Sequence, residues 1–167
     1  IEMARILNQE NPGAFHFDIC GGGPAQDALT ASVNRLGLND VVKVHGRLNR
    51  QALLKVYAAC HAVLVPTRSD FCEGFALVAA EAILCGRPLI ASSVVPSTEV
   101  LHAATVIAKT NDPRSFTQGI KKLRDEVPFY EQLRAACPAL CKQFLDGSMS
   151  HQSALGAVFE AMAKPNR

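Results

Sequence analysis

The stretch "AVLVPTRSDFCEGFALVAAEAILCGRPLIAS" covers residues 62–92 and contains a complete strand–helix–strand unit. "AVLVP" (62–66) is a continuous apolar run, the pattern of a parallel strand buried on both faces. A polar loop follows. A helix is expected from about Ala76 to Cys85, and "PLIAS" (88–92) reads as the next strand.

Working outward, the same alternation repeats. Residues 1–10 read as a helix that stops before the turn signal "NPG". "FHFDIC" (15–20) is a short strand broken by "GGGP". "AQDALTASVNRLG" (25–37) has apolar residues at Ala25, Leu29, Val33 and Leu36, the helical period, and ends at Gly37. "VVKVH" (41–45) is a β-branched strand, and "RQALLKVYAAC" (50–60) is helical. "TVIA" (105–108) is a weak last strand. "DPRSFTQGIKKLRDE" opens with an N-cap aspartate and proline at the first helical position. Two further helices are expected at about 128–145 and 149–163. Strands alternating with helices imply a Rossmann-like, doubly wound parallel sheet covered by helices on both faces, in one α/β domain spanning 1–167.

Composition agrees and excludes several functions. The chain has 167 residues, 49% hydrophobic and 19% charged, enough for a sizeable core. A net charge of +2 is too small to imply nucleic acid or an anionic membrane. Tryptophan is absent and aromatics are few, which argues against base-stacking platforms. The six cysteines (20, 60, 72, 85, 137, 141) form no C-x-x-C pair, and most sit in apolar runs. They are expected to be reduced structural thiols, and Cys137 and Cys141 lack a nearby histidine for a metal site. No apolar run is long enough for a spanning helix, and the start carries no signal-peptide pattern. "IEMARILNQENPG" reads like the last turns of a helix already under way, so a fragment or one domain of a longer protein is expected.

Two features suggest a ligand. "DICGGGPAQDAL" is strand, glycines, helix, a geometry that brings backbone N–H groups to a phosphate. Gly21 and Gly23 suit a dinucleotide fingerprint, but Gln26 stands at its sixth position, and G-K-[ST] is missing for a Walker A loop. The glycines equally fit a tight turn with no ligand. The second feature is the pair Glu73 and Glu81, one at each end of a mostly apolar segment. Ligands in open α/β sheets bind at the carboxyl ends of strands, which is where the loop 67–75 lies. Glu73 precedes the helix, Gly74 permits close approach, and the free N–H groups of Phe75, Ala76 and Leu77 suit a phosphate. Glu81 lies up to roughly 12 Å further along the helix axis. Two acids could each hold a polyol, with a diphosphate between them at the helix N-terminus. An arbitrary E-x7-E is ordinarily two solvated helix residues. Here "ALVAA" and "AIL" flank Glu81, and a helix apolar all round is buried, so Glu81 is not expected on an ordinary solvated face.

"EGFALVAAEAILCGRPLIAS" resembles the E-x7-E signature of the retaining glycosyltransferases of the GT-B fold, family 4 or group 1. "FDICGGGPAQDALTASVNRLGLNDVVKVHGRLNRQALLKVYAACHAVLVPTRSD" is similar to that family's glycine loop, strand end, helix and P-[ST] loop. The resemblance covers about residues 15–100. It implies the C-terminal, donor-binding half of a two-domain enzyme that moves a sugar from a nucleotide-diphosphate sugar (UDP-, GDP- or ADP-linked) to an acceptor, with retention of configuration and without a metal or other cofactor. By resemblance, Glu73 contacts the donor sugar at the transferring centre as the catalytic residue. Gly74, Phe75, Ala76 and Leu77 give backbone contacts to sugar and diphosphate. Glu81 holds the ribose hydroxyls, Arg47 and Leu48 border the base, and Gly21 and Gly22 line the cleft.

There are departures. "VVPSTEV" has Pro96 and Ser97 where the family usually has two glycines, although Glu99 is present. The family's diphosphate-neutralising Arg and Lys, and its N-terminal acceptor-binding domain, are not in this sequence, so the chain alone is expected to be inactive. No nucleic-acid partner is implied, and membrane contact only through that other domain. A cytoplasmic setting is expected, with the inner membrane face as one location. A non-catalytic nucleotide-sugar module and a GT-B sugar-nucleotide epimerase remain alternatives. The five histidines are expected to be structural, Arg68 and Asp70 to be solvated loop charges, and "KKLRDE" (121–126) to be a solvated helix face.

Overall fold

The computed structural model describes residues 1–163. In chain order the elements are α1 (Glu2–Glu10), β1 (Phe17–Cys20), α2 (Gln26–Arg35), β2 (Val42–Gly46), α3 (Arg50–Ala59), β3 (Val63–Val65), α4 (Leu77–Leu84), β4 (Leu89–Ser92), α5 (Ser97–Leu101), β5 (Thr105–Ala108), α6 (Pro113–Asp125), α7 (Val127–Leu145) and α8 (His151–Ala163). Every strand and helix expected from the sequence is present within a few residues. A short helix, α5, and the 3-10 turn His102–Ala104 were not expected; both fall in "PSTEVLHAA".

The local reasons are visible at the helix ends. Asp112 accepts from the backbone N–H groups of Arg114 and Ser115, with Pro113 next, so α6 starts sharply. Asn49 caps α3 by accepting from Ala52 N–H at 2.9 Å. Gly86, in the left-handed region at φ +68°, ends α4, and its N–H bonds to the Ile83 carbonyl.

All pairings are parallel, but the hydrogen bonds divide the strands between two sheets. β1 pairs with β2, Phe17 opposite Val42. β3, β4 and β5 form the second sheet in that order, Val63 opposite Leu89 and Leu89 opposite Thr105. A cavity of about 1250 Å³ lies between β1 and β3, lined on the strand side by Phe17, Ile19, Val63 and Leu64.

The central strand β4 is buried throughout and separates two cores. Leu89 and Ala91 join Tyr57, Ala79, Ile83 and Cys137, from α3, α4 and α7. Ile90 joins Phe116, Leu123 and Leu133, from α6 and α7. Helices therefore cover both faces, as a parallel sheet requires. A smaller cluster of Ala4, Val33, Leu38, Val41 and Val42 holds α1 and α2 against β1 and β2.

Two expectations need correction. The "KKLRDE" segment is not merely a solvated face. Leu123 is buried, Lys121 pairs with Glu10 at 2.8 Å, and Lys122 and Arg124 lie over the rings of Phe129 and Phe15. The alkyl stems and cationic heads thereby close α6 onto α1 and α7. Helix α4 is not apolar all round in the sense of burial either. Ala79, Ala82 and Ile83 are buried, whereas Leu77 is 77% exposed and Glu81 lies on the same exposed side. At the far end, every residue of α8 is exposed.

Candidate functional site

The site is assembled where strands end. β1 ends in the glycine loop, and the Gly21 N–H bonds to the Gly46 carbonyl at 2.8 Å, tying the ends of β1 and β2 together. Gly21 (φ +137°) and Gly46 (φ +66°) both take conformations that a side chain resists. A Cβ on Gly22 would stand 3.4 Å from the Arg47 Cβ, ordinary contact distance, so the 46–48 turn lies directly against the glycine loop. Beneath this junction His45 Nε2 and Asp18 Oδ1 are 2.6 Å apart, a cross-strand contact between β2 and β1.

β3 ends at Val65 and the chain enters the loop 66–76. The Thr67 hydroxyl donates to Glu73 Oε2 at 3.0 Å, which orients that carboxylate across the loop. Arg68 and Asp70 pair with each other at the surface, as the expectation of solvated charges implied. The loop is also anchored from a distance. Asn111, itself left-handed at φ +59°, donates to the Ser69 hydroxyl at 2.6 Å and accepts from the Ser69 N–H at 3.3 Å.

Ala76 then takes φ +61° and ψ +82°, a left-handed conformation costing an L-residue about 1–2 kcal/mol. Helix α4 starts at the next residue, Leu77. Its first N–H groups have no acceptor within the helix, and the helix dipole adds partial positive charge there. Phe75 is 39% exposed and packs edge-on against Phe144 of α7, at 5.8 Å between ring centroids.

The 1250 Å³ cavity reaches this region. Gly21, Arg47, Leu48, Tyr57, Val78 and Glu81 all line it. The structure thus brings together four of the residues singled out in the sequence: Gly21, Arg47, Leu48 and Glu81. Gly22 backs Arg47 directly. Glu73, Gly74, Phe75, Ala76 and Leu77 do not line this cavity; they form the loop and helix start beside it. Glu81 is exposed and also lines this largely apolar cavity, so exposure and an apolar setting coexist at one position.

Sequence reasoning missed Tyr57. This residue of α3 is 7% exposed, and its hydroxyl donates to Glu81 Oε2 at 2.8 Å. Burial, and then the Glu81 carboxylate that accepts its proton, push the Tyr57 hydroxyl well above the ordinary tyrosine range. A tyrosine inside an apolar helix signals that its hydroxyl needs a partner, but not that the partner is 24 residues away. Thr67 was within a quoted motif; Asn111 carried no signal.

Chemically, the site offers a carboxylate held from behind, an exposed guanidinium, and a helix N-terminus. Among the described residues no group of three or more His, Cys, Asp or Glu side chains is placed to hold a metal ion. None of the described helices is long and apolar enough to cross a membrane.

Comparison with known proteins adds three findings. The sequence model of "Glycosyl transferases group 1" matches residues 1–138. A D-inositol 3-phosphate glycosyltransferase of Catenulispora acidiphila is 32% identical over 122 residues, covering 68% of this chain and 28% of that protein. The chain therefore spans less than a third of that relative's length. Among solved structures, a glycosyltransferase from Rickettsia africae superposes with a TM-score of 0.79 at 11% identity, over 98% of this chain and 44% of that one. HepE of Anabaena, solved with UDP and glucose, superposes with a TM-score of 0.76 at 20% identity, over 95% of this chain and 44% of that one. These likenesses show the GT-B type of fold. Matched by the family model over most of its length and carrying that fold, the chain belongs to the group 1 glycosyl transferases.

Proposed function

We propose that this chain is the donor-binding half of a glycosyltransferase that transfers a sugar from a nucleotide-diphosphate sugar to an acceptor with retention of configuration. The observation that carries the reading is convergence. Gly21 just after β1, Arg47 and Leu48 just after β2, and Glu81 of α4 come from three separate stretches of the chain and line one cavity. In the proposed arrangement the base lies against Arg47 and Leu48, and the ribose hydroxyls donate to Glu81. The diphosphate sits at the N–H groups of Phe75, Ala76 and Leu77, where the helix dipole favours negative charge. Glu73, oriented by Thr67, faces the donor sugar. The solved neighbour HepE holds UDP and glucose, which supports a ligand of this class.

A metal-independent reaction is part of the proposal. So are a second, acceptor-binding domain and, on a segment before the first helix, the Arg and Lys that would stabilise the departing diphosphate. The 167-residue chain by itself is then expected to bind donor nucleotide but to transfer nothing. The test is an NMR titration of the chain with UDP, GDP and ADP up to millimolar concentration. Shifts clustered at residues 21–22, 47–48 and 73–81, weakened by Glu81→Ala, are expected. Shifts scattered over other surfaces, or none with any of the three nucleotides, would refute the donor-site reading.

A further inference from the structure

We propose that Tyr57 is a positioning residue for ribose recognition: it fixes the Glu81 carboxylate so that one oxygen is presented to the ligand. The inference rests on the donor-site reading above and goes beyond it, because Tyr57 need not touch the nucleotide. Three observations carry it. The Tyr57 hydroxyl donates to Glu81 Oε2 at 2.8 Å and so occupies one carboxylate oxygen, leaving Oε1 for a ligand. Tyr57 is 7% exposed and lies in the core cluster with Val65, Ala79 and Ile83, so its ring is held by packing. Both residues line the same cavity as Arg47 and Leu48.

The physical need is specific. Glu81 stands on the exposed side of α4, and a free glutamate there samples several rotamers about three torsions. Recognition of a vicinal diol requires the carboxylate plane in one orientation. A hydrogen bond from a rigid, packed phenol provides that orientation before the ligand arrives, so less ordering entropy is lost on binding. Tyr57 acts through Glu81 alone, and this distinguishes it from a residue that merely supports the cavity wall.

The test compares binding of UDP with that of 2′,3′-dideoxy-UDP to the wild-type chain, Tyr57→Phe, Glu81→Ala and the double variant. GDP or ADP and their dideoxy analogues replace the pair if the chain prefers those bases. Tyr57→Phe keeps the ring and its packing. It is expected to weaken UDP roughly tenfold, the size of a hydrogen bond to a charged group. Its affinity for dideoxy-UDP should stay within about twofold of wild type. The double variant should bind UDP no more weakly than Glu81→Ala alone, since Tyr57 has nothing left to position.

Equal losses for both ligands in Tyr57→Phe, or additive losses in the double variant, would overturn the positioning role and leave the donor site standing. Wild-type chain that does not distinguish the diol from its dideoxy analogue would overturn the ribose role of Glu81, and the proposal with it.

Discussion

Gly119 gives the sharpest test of how α6 is seated on the sheet. A Cβ built on Gly119 would lie 3.2 Å from Val106 Cγ1 and 3.3 Å from Ile90 Cγ2. The helix therefore approaches β4 and β5 more closely than an alanine tolerates without movement. Two effects oppose each other in Gly119→Ala. Replacing a mid-helix glycine gains about 0.8–1.0 kcal/mol of propensity. Overpacking a tight core costs about 1–3 kcal/mol. Ile90 is 1% exposed on the central strand, held by β3 on one side and β5 on the other, so it has little room to retreat.

The steric effect should win, and Gly119→Ala should lose about 1 kcal/mol. For a chain of this length that lowers Tm by about 2–4 °C, read by thermal or urea unfolding. Gly156→Ala in α8 is the control. Nothing lies within 4 Å of its Cβ position, so propensity acts alone and the far-UV helical signal should rise. Val106→Ala should make room, and the Gly119→Ala/Val106→Ala pair should couple favourably by more than about 0.5 kcal/mol. If Gly119→Ala instead stabilises by the full propensity gain, the close seating of α6 is wrong.

Two other outcomes are expected. Tyr57 ionisation, isolated as the difference between the 295 nm titrations of wild type and Tyr57→Phe, should lie above the ordinary tyrosine range, since its hydroxyl is buried and donates to Glu81. A group whose folded pKa is raised contributes stability that is present below the unfolded value of about 10 and is lost as pH rises further. Glu81→Ala should move this ionisation down without restoring the ordinary value, because burial is the larger cause; an unmoved titration would contradict the Tyr57–Glu81 bond. Asp112→Ala removes an acceptor serving two N–H groups and should cost about 1 kcal/mol in urea unfolding, with Asp112→Asn recovering most of it; a loss below about 0.3 kcal/mol would mean the cap is idle.

The fold was largely legible because β3 and β4 lie in apolar runs, β2 is rich in β-branched residues, and α3 and α6 carry side-chain caps. Asp112–Pro113 and the break at Gly86 are local signals, and local structure obeyed them. Helix α5 was missed because "STEVL" is too short to show a period. The division into two sheets was not legible, since hydrogen bonding between strands is a long-range property. Glu81 misled for a physical reason. Leu77, Val78 and Leu84 are apolar yet exposed, so the exposed side of α4 resembles a core face in sequence. Glu81 is set apart by the cavity beside it and not by polar neighbours. The contacts that orient the two glutamates differ in kind. Thr67 to Glu73 lies within one loop and could be guessed from the motif. Tyr57 to Glu81 joins two helices and could not.

The division of the strands bears on cooperativity. β1 and β2, with α1 and α2, have a small apolar cluster of their own, while β3, β4 and β5 share the larger ones. Such units can open separately, as contiguous segments that exchange their amide hydrogens at different rates. The proposed ligand would touch both: Gly21, Arg47 and Leu48 belong to the first unit, Val78 and Glu81 to the second. A nucleotide bound across that boundary would act as a clasp. Part of its binding free energy would appear as a second mechanical linkage between the two units, beside the one that α1 already makes with α6, and melting would become more cooperative with the nucleotide in place.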